Sequence, residues 1–181
     1  MKKNLFVKVL AVLLFCAAFS AGVNAQNTFS KNDKVVNLGI GLGTGYGLFG
    51  YKMAVPPVSG SFEYGIIDNL FNDKSSLGIG GYFGYVSYKH KYTDWDYRYS
   101  NTIIGLRGAL HYQLVDKLDT YGGVMIGYRI WSGSSETTGH SSLSPDLFVG
   151  ARYYLLDNLS GFAELGFGGI AYLQLGVSFK F

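Results

Sequence analysis

Five charged residues carry the strongest chemical signal in this sequence. Glu63, Arg107, Arg129, Arg152 and Glu164 each stand alone within a run of apolar and small residues. A lone ion in such surroundings is costly unless another ion and hydrogen bonds satisfy it. Two carboxylates and three guanidinium groups can form a network, acting either as a gated polar path or as a plug that ties strands together. A second cluster, Tyr88-Lys-His-Lys-Tyr92-Thr-Asp-Trp95-Asp-Tyr97-Arg-Tyr99, interleaves aromatic rings with both signs of charge. Its Lys89, Lys91, Tyr92, Trp95, Tyr97 and Arg98 could stack on sugars or meet lipid phosphates. An interfacial girdle whose charges face headgroups and water has the same composition.

Catalytic signals are weaker. Ser132-Gly-Ser-Ser-Glu-Thr-Thr-Gly-His140-Ser-Ser contains nucleophile, acid and base. A triad needs a rigid scaffold holding base to nucleophile within about 3 Å, and this composition reads instead as a surface loop. His90, His111 and His140 have no paired spacing that would hold a metal. Gly45-Tyr-Gly-Leu-Phe-Gly50 matches a dinucleotide fingerprint, but Pro56-Pro57 follows where a helix would have to open. No catalytic residue, metal or cofactor is expected.

What positions the charged residues is a period of two. In 104–114, Ile104, Leu106, Leu110, Tyr112 and Leu114 share one face, opposite Gly105, Arg107, Ala109, His111 and Gln113. The same alternation sets Arg129 with Gly123, Met125 and Gly127, and Arg152 with Phe148, Gly150 and Tyr154. Eight strands are expected near 34–43, 57–66, 76–89, 98–114, 118–131, 143–155, 159–168 and 170–181. Three related phrases punctuate them, ending at Asp68-Asn-Leu70, Asp116-Lys-Leu118 and Asp157-Asn-Leu159. Asp with Asn or Lys favours tight turns, so short turns alternate with longer loops, the asymmetry of outer-membrane barrels. A third turn centred on Asn158 would put Arg152 opposite Glu164, within pairing reach.

Composition says which face is outside. The less apolar face is mostly Gly, Ser and Ala, not the Lys, Glu and Thr of a solvated surface. Small residues are what a narrow eight-stranded lumen can hold. The apolar face therefore meets lipid, whereas a soluble lipocalin-like barrel would turn it inward. No segment after residue 25 has 18 uninterrupted apolar residues, so a membrane must be crossed by a closed barrel and not by a helix.

Residues 1–25 read as a cleaved signal peptide, with Lys2 and Lys3 before an apolar run and Val23-Asn24-Ala25 before the cut. Removing its three Lys leaves twelve basic and twelve acidic side chains, so a nucleic-acid partner loses its electrostatic footprint. The single Cys16 leaves with it, and thiol chemistry leaves too.

The Asp-containing turns, the eight alternating strands and the terminal Ser178-Phe-Lys-Phe181 resemble the small outer-membrane β-barrels similar to OmpX, the OmpA membrane domain and OmpW. The resemblance covers Gln26–Phe181. It implies an all-β, eight-stranded, antiparallel up-and-down transmembrane barrel in the cell outer membrane, with 1–25 as signal peptide and 26–181 as the barrel domain. It implies outer-membrane lipids and lipopolysaccharide as partners, and Phe181 as the signal read by the barrel-assembly machinery. A monomer is expected. The expected role is non-enzymatic, in envelope integrity or surface interaction, with the lumen plugged by the Arg/Glu network. A narrow channel for small solutes is the alternative, and a lipid-A-modifying enzyme ranks below both.

Overall fold

The computed structural model describes residues 28–47, 51–92, 95–133 and 141–181. Eight strands follow one another: β1 (Lys34–Leu42), β2 (Lys52–Asp68), β3 (Ser75–Tyr92), β4 (Trp95–Val115), β5 (Leu118–Gly133), β6 (Ser142–Leu156), β7 (Leu159–Gly166) and β8 (Leu173–Lys180). Each pairs antiparallel with its neighbours in sequence, and β8 returns to β1 to close the barrel. The closing seam runs from Val35 opposite Lys180 to Leu42 opposite Leu173. Closure leaves no free edge for another chain to extend. No helix among the described residues is long and apolar enough to cross a membrane.

Alternation along each strand sorts the side chains into two faces. In β5, Val124, Ile126, Tyr128 and Ile130 are exposed on the outside, while Met125 and Gly127 are buried inside. Leu106 is 76% exposed, Ile126 70% and Leu147 65%. A belt of large apolar side chains around the whole barrel far exceeds what a soluble monomer leaves in water, and it suits hydrocarbon. The core is therefore the lumen. Glycines on the inner face make room for its rings. Gly39 and Gly176 face each other across the seam, and a Cβ on either would crowd the Phe162 ring.

At the end that carries Lys34 and Lys180, Asp116-Lys117 and Asp157-Asn158 make two-residue turns, with Val115 opposite Leu118 and Leu156 opposite Leu159. Lys117 adopts φ 64°, the left-handed region that such a turn demands. The first phrase makes a longer turn. Asn69 has φ 54° there, and the Ser75 hydroxyl accepts from the N–H groups of Phe71 and Asn72.

The main departures from the strand bounds the sequence suggests fall at three places, all at the opposite, loop-bearing end. β3 and β4 stay in register out to Tyr92 opposite Trp95. The aromatic stretch read as a long loop is thus the tip of a hairpin, because aromatic residues favour extended pairing as much as an interface. β2 begins at Lys52, not near residue 57. Its Pro56 and Pro57 sit between register shifts at Val55 and Val58, where no ladder donor is needed. β7 stops at Gly166 and β8 resumes only at Leu173, so the tight connection implied by strands at 159–168 and 170–181 is a wider segment that enters the lumen.

Candidate functional site in the barrel lumen

The lumen contains a closed ring of four ions. Strand β4 supplies His111, β5 Asp119, β6 Arg152 and β2 Glu63, and each is at most 3% exposed. Arg152 bonds Glu63 Oε2 through one terminal nitrogen and Asp119 Oδ2, at 3.2 Å, through the other. His111 completes the ring, with Nδ1 3.0 Å from Asp119 and Nε2 2.9 Å from Glu63. With Glu63 and Asp119 both ionised, each carboxylate only accepts hydrogen bonds, so both imidazole nitrogens donate and His111 is a cation. Two cations then balance two anions.

A second pair lies toward the loop-bearing end. Arg107 donates bidentately to Glu164, at 3.3 Å and 2.7 Å, the strongest geometry for this pair. The Tyr121 hydroxyl also donates to Glu164, at 3.1 Å. Arg107 lies over the Phe148 ring at 3.8 Å, and Arg152 over Tyr121 at 4.5 Å. Tyr121 thus links the two groups. Gly150 makes its place possible, since a Cβ there would enter the Tyr121 ring.

Both ends of the lumen are filled from above and below this centre. At the end with the short turns, residues 28–33 fold into the mouth as a strap. Phe29 is 4% exposed and stacks on His111 with ring centroids 4.0 Å apart. Backbone bonds fix the strap to β2, from Asn32 N–H to Gly65 and from Gly65 N–H to Asp33, both at 2.9 Å. Lys180 donates to the Thr28 carbonyl at 3.3 Å and stands 3.7 Å from Asp33. Burial pushes the Asp33 carboxyl above its usual range, while Lys180 and the Ser30 N–H pull it back. At the other end, the segment between β7 and β8 bends inward at residues 168–171. Ile170 is fully buried, and its N–H donates to the Tyr82 hydroxyl at 3.2 Å. Asp146 accepts from the N–H groups of Phe167 and Gly168 at 2.7 and 2.6 Å, and Tyr46 donates to the Gly169 carbonyl at 3.1 Å.

No protein-family model and no curated protein sequence matches the chain. Solved structures do. OprG from Pseudomonas aeruginosa superposes with a TM-score of 0.53 at 13% identity, covering 86% of this chain and 99% of that one. Ail, the attachment invasion locus protein of Yersinia pestis, gives 0.51 at 15%, covering 83% and 99%. The N-terminal β-barrel domain of Pseudomonas aeruginosa OprF gives 0.50 at 14%, covering 84% and 100%. The fold is that of the small eight-stranded outer-membrane barrels.

Within that barrel, four of the five charged residues singled out in the sequence occupy two levels. Glu63 and Arg152 join the ring, and Arg107 and Glu164 make the pair. Arg129 stands apart nearer the loop-bearing end, half-buried and over the Tyr46 ring at 5.2 Å. The expected Arg152–Glu164 pair does not form. The register places Arg152 opposite Phe162 and Glu164 opposite Gly150, because the turn is centred between Asp157 and Asn158 and a bulge between Tyr154 and Leu156 shifts the pairing once more. Among the hairpin residues, Lys89 and Arg98 are exposed. The side chains of Lys91, Tyr92, Trp95 and Tyr97 lie outside the described residues, as do Glu136 and His140 of the hydroxyl-rich loop.

Asp119, Tyr121 and Asp146 are site residues that the sequence reading passed over. Parity would have found them. Asp119 and Tyr121 share the face of Met125 and Gly127 on β5, and Asp146 shares that of Phe148 on β6. Phe29 had no such signal, since it precedes the first strand. Among the described residues, no group of three His, Cys, Asp or Glu has the arrangement to hold a metal ion.

Proposed function

We propose that the chain is a non-enzymatic integral barrel of the outer membrane whose lumen is closed, serving envelope integrity or surface contact and not passage of solutes. One observation carries this reading: the lumen is filled at three levels, by the Phe29 strap, by the ion networks and by the inward Ile170 segment. A conduit needs at least one continuous polar file, and rings and backbone occupy each level. The exposed apolar belt supports the membrane, and the shared fold supports the outer membrane in particular.

In this reading the strap and the short turns face the periplasm, and the β3–β4 hairpin reaches out toward lipopolysaccharide with Lys89 and Arg98 at its sides. The last strand with Phe181 is the segment the assembly machinery reads, and the barrel works as a monomer. His111, the buried imidazole, has both nitrogens committed to carboxylates, so it has no free lone pair with which to act as a base. The test is single-channel recording in planar bilayers with the purified protein. No steady conductance is expected. A steady open channel, abolished by Arg107→Ala, would replace the closed-lumen reading with a conduit.

A further inference from the structure

Among the described residues, each deeply buried cation of the barrel is matched by an acid of the same chain. Arg107 has Glu164, Arg152 has Glu63 and Asp119, His111 has both of those carboxylates, and Lys180 has Asp33. Arg129 is different. Its guanidinium makes no ion pair among the described residues, and its Nε is buried without a hydrogen-bond partner. The Nε atoms of Arg107 and Arg152 are also unbonded, but their terminal nitrogens hold carboxylates. What Arg129 has beside it is the Tyr46 ring, 5.2 Å from the guanidinium carbon.

The place of Arg129 explains how it could be completed. It lies on the inner face of β5, beyond Met125 toward the loop-bearing end, with Ser142 of β6 directly opposite in the register. Cross-strand partners have Cβ atoms about 5 Å apart, so Ser142 is the inner-face neighbour of Arg129 on β6. Trp131 is two residues farther along the same face, half-buried and packed near the Tyr99 ring. Tyr99 in turn donates to the Tyr46 carbonyl at 3.0 Å. Tyr46 therefore flanks the cation with an aromatic face, and Trp131 stands on the same strand face farther toward the loops.

We infer that Arg129, with Ser142, Tyr46 and Trp131, forms a binding site at the loop-bearing mouth for a soluble carboxylate carried on a flat ring. One uncompensated guanidinium matches one negative charge, and its fork fits the two oxygens of a carboxylate. A hydroxyl opposite supplies a further donor. The Tyr46 face beside the guanidinium favours a ring over a bare ion, as in small-molecule sites that combine apolar walls with a few convergent polar groups. The barrel wall separates this inner-face cation from lipid, which makes the ligand a solute and not a headgroup. This site sits outside the closed section of the lumen and stands whether or not solutes pass.

The test is isothermal titration of the full mature protein in a zwitterionic detergent at low chloride, with benzoate as probe and benzyl alcohol as its neutral counterpart. Saturable binding of benzoate, absent for benzyl alcohol, is expected. Arg129→Gln should weaken it at least ten-fold. Lys52→Gln, which removes an exposed cation at the same end, should leave it unchanged. Unaltered gel mobility of unboiled R129Q confirms that the barrel is intact. The inference is overturned if benzoate shows no saturable heat, if benzyl alcohol binds equally well, or if K52Q weakens binding as much as R129Q.

Discussion

Arg152 is the residue on which the lumen depends most. It is fully buried and touches two carboxylates. Truncation leaves Glu63 and Asp119 with only His111 between them, and an uncompensated buried charge costs about 3–5 kcal/mol. Arg152→Ala should therefore lower the free energy of urea unfolding by that order, read as loss of the compact band on unboiled gels at lower urea. Arg107→Ala removes a bidentate partner from Glu164 and a cation from the Phe148 face, and the same assay should report a similar loss. Which residues point inward was legible from parity, but their pairing was not. Arg152 and Glu164 lie on adjacent strands, yet Arg152 pairs with Asp119 on β5 and Glu63 on β2, while Glu164 pairs with Arg107 on β4. Sequence spacing contains no measure of distance across a lumen.

At the scale of elements, the two closures are short segments that belong to no strand. The 167–172 segment depends on Gly168, where a Cβ would overlap the Pro145 carbonyl. Gly168→Ala should expel the segment while the barrel stays closed. Increased cleavage there by added protease, with unchanged mobility of the unboiled protein, is the expected result. The strap depends on Phe29. Phe29→Ala removes the stack on His111 and should loosen the strap by on the order of 3 kcal/mol, the scale for a buried Phe truncation. Faster hydrogen exchange at the Asn32 and Gly65 amides, which bond across strap and β2, would register it. An unchanged exchange rate would mean that the backbone bonds alone hold the strap.

For the whole molecule the decisive property is closure. Eight strands with every neighbour paired have no edge from which to unzip, and in detergent the barrel should stay compact until heated. A boiling-dependent change in gel mobility is expected of the detergent-extracted protein. Its absence, with the protein in a soluble periplasmic fraction, would turn the apolar face inward and contradict the exposure of Leu106, Ile126 and Leu147.

The sequence by itself determined the strand count, the two faces and the side that meets lipid. These follow from local chemistry: side chains alternate along every strand, and small residues mark the narrow interior. It also determined that Glu63, Arg107, Arg152 and Glu164 share that interior. Only the tertiary structure decided that His111 and Asp119 close a ring with Arg152 and Glu63, that Arg129 stands apart, and that Phe29 and Ile170 enter the two mouths. Those outcomes depend on register, on bulges beside the turns and on contacts across the barrel between residues far apart in the chain. The hydrophobic pattern of a single strand is blind to all three.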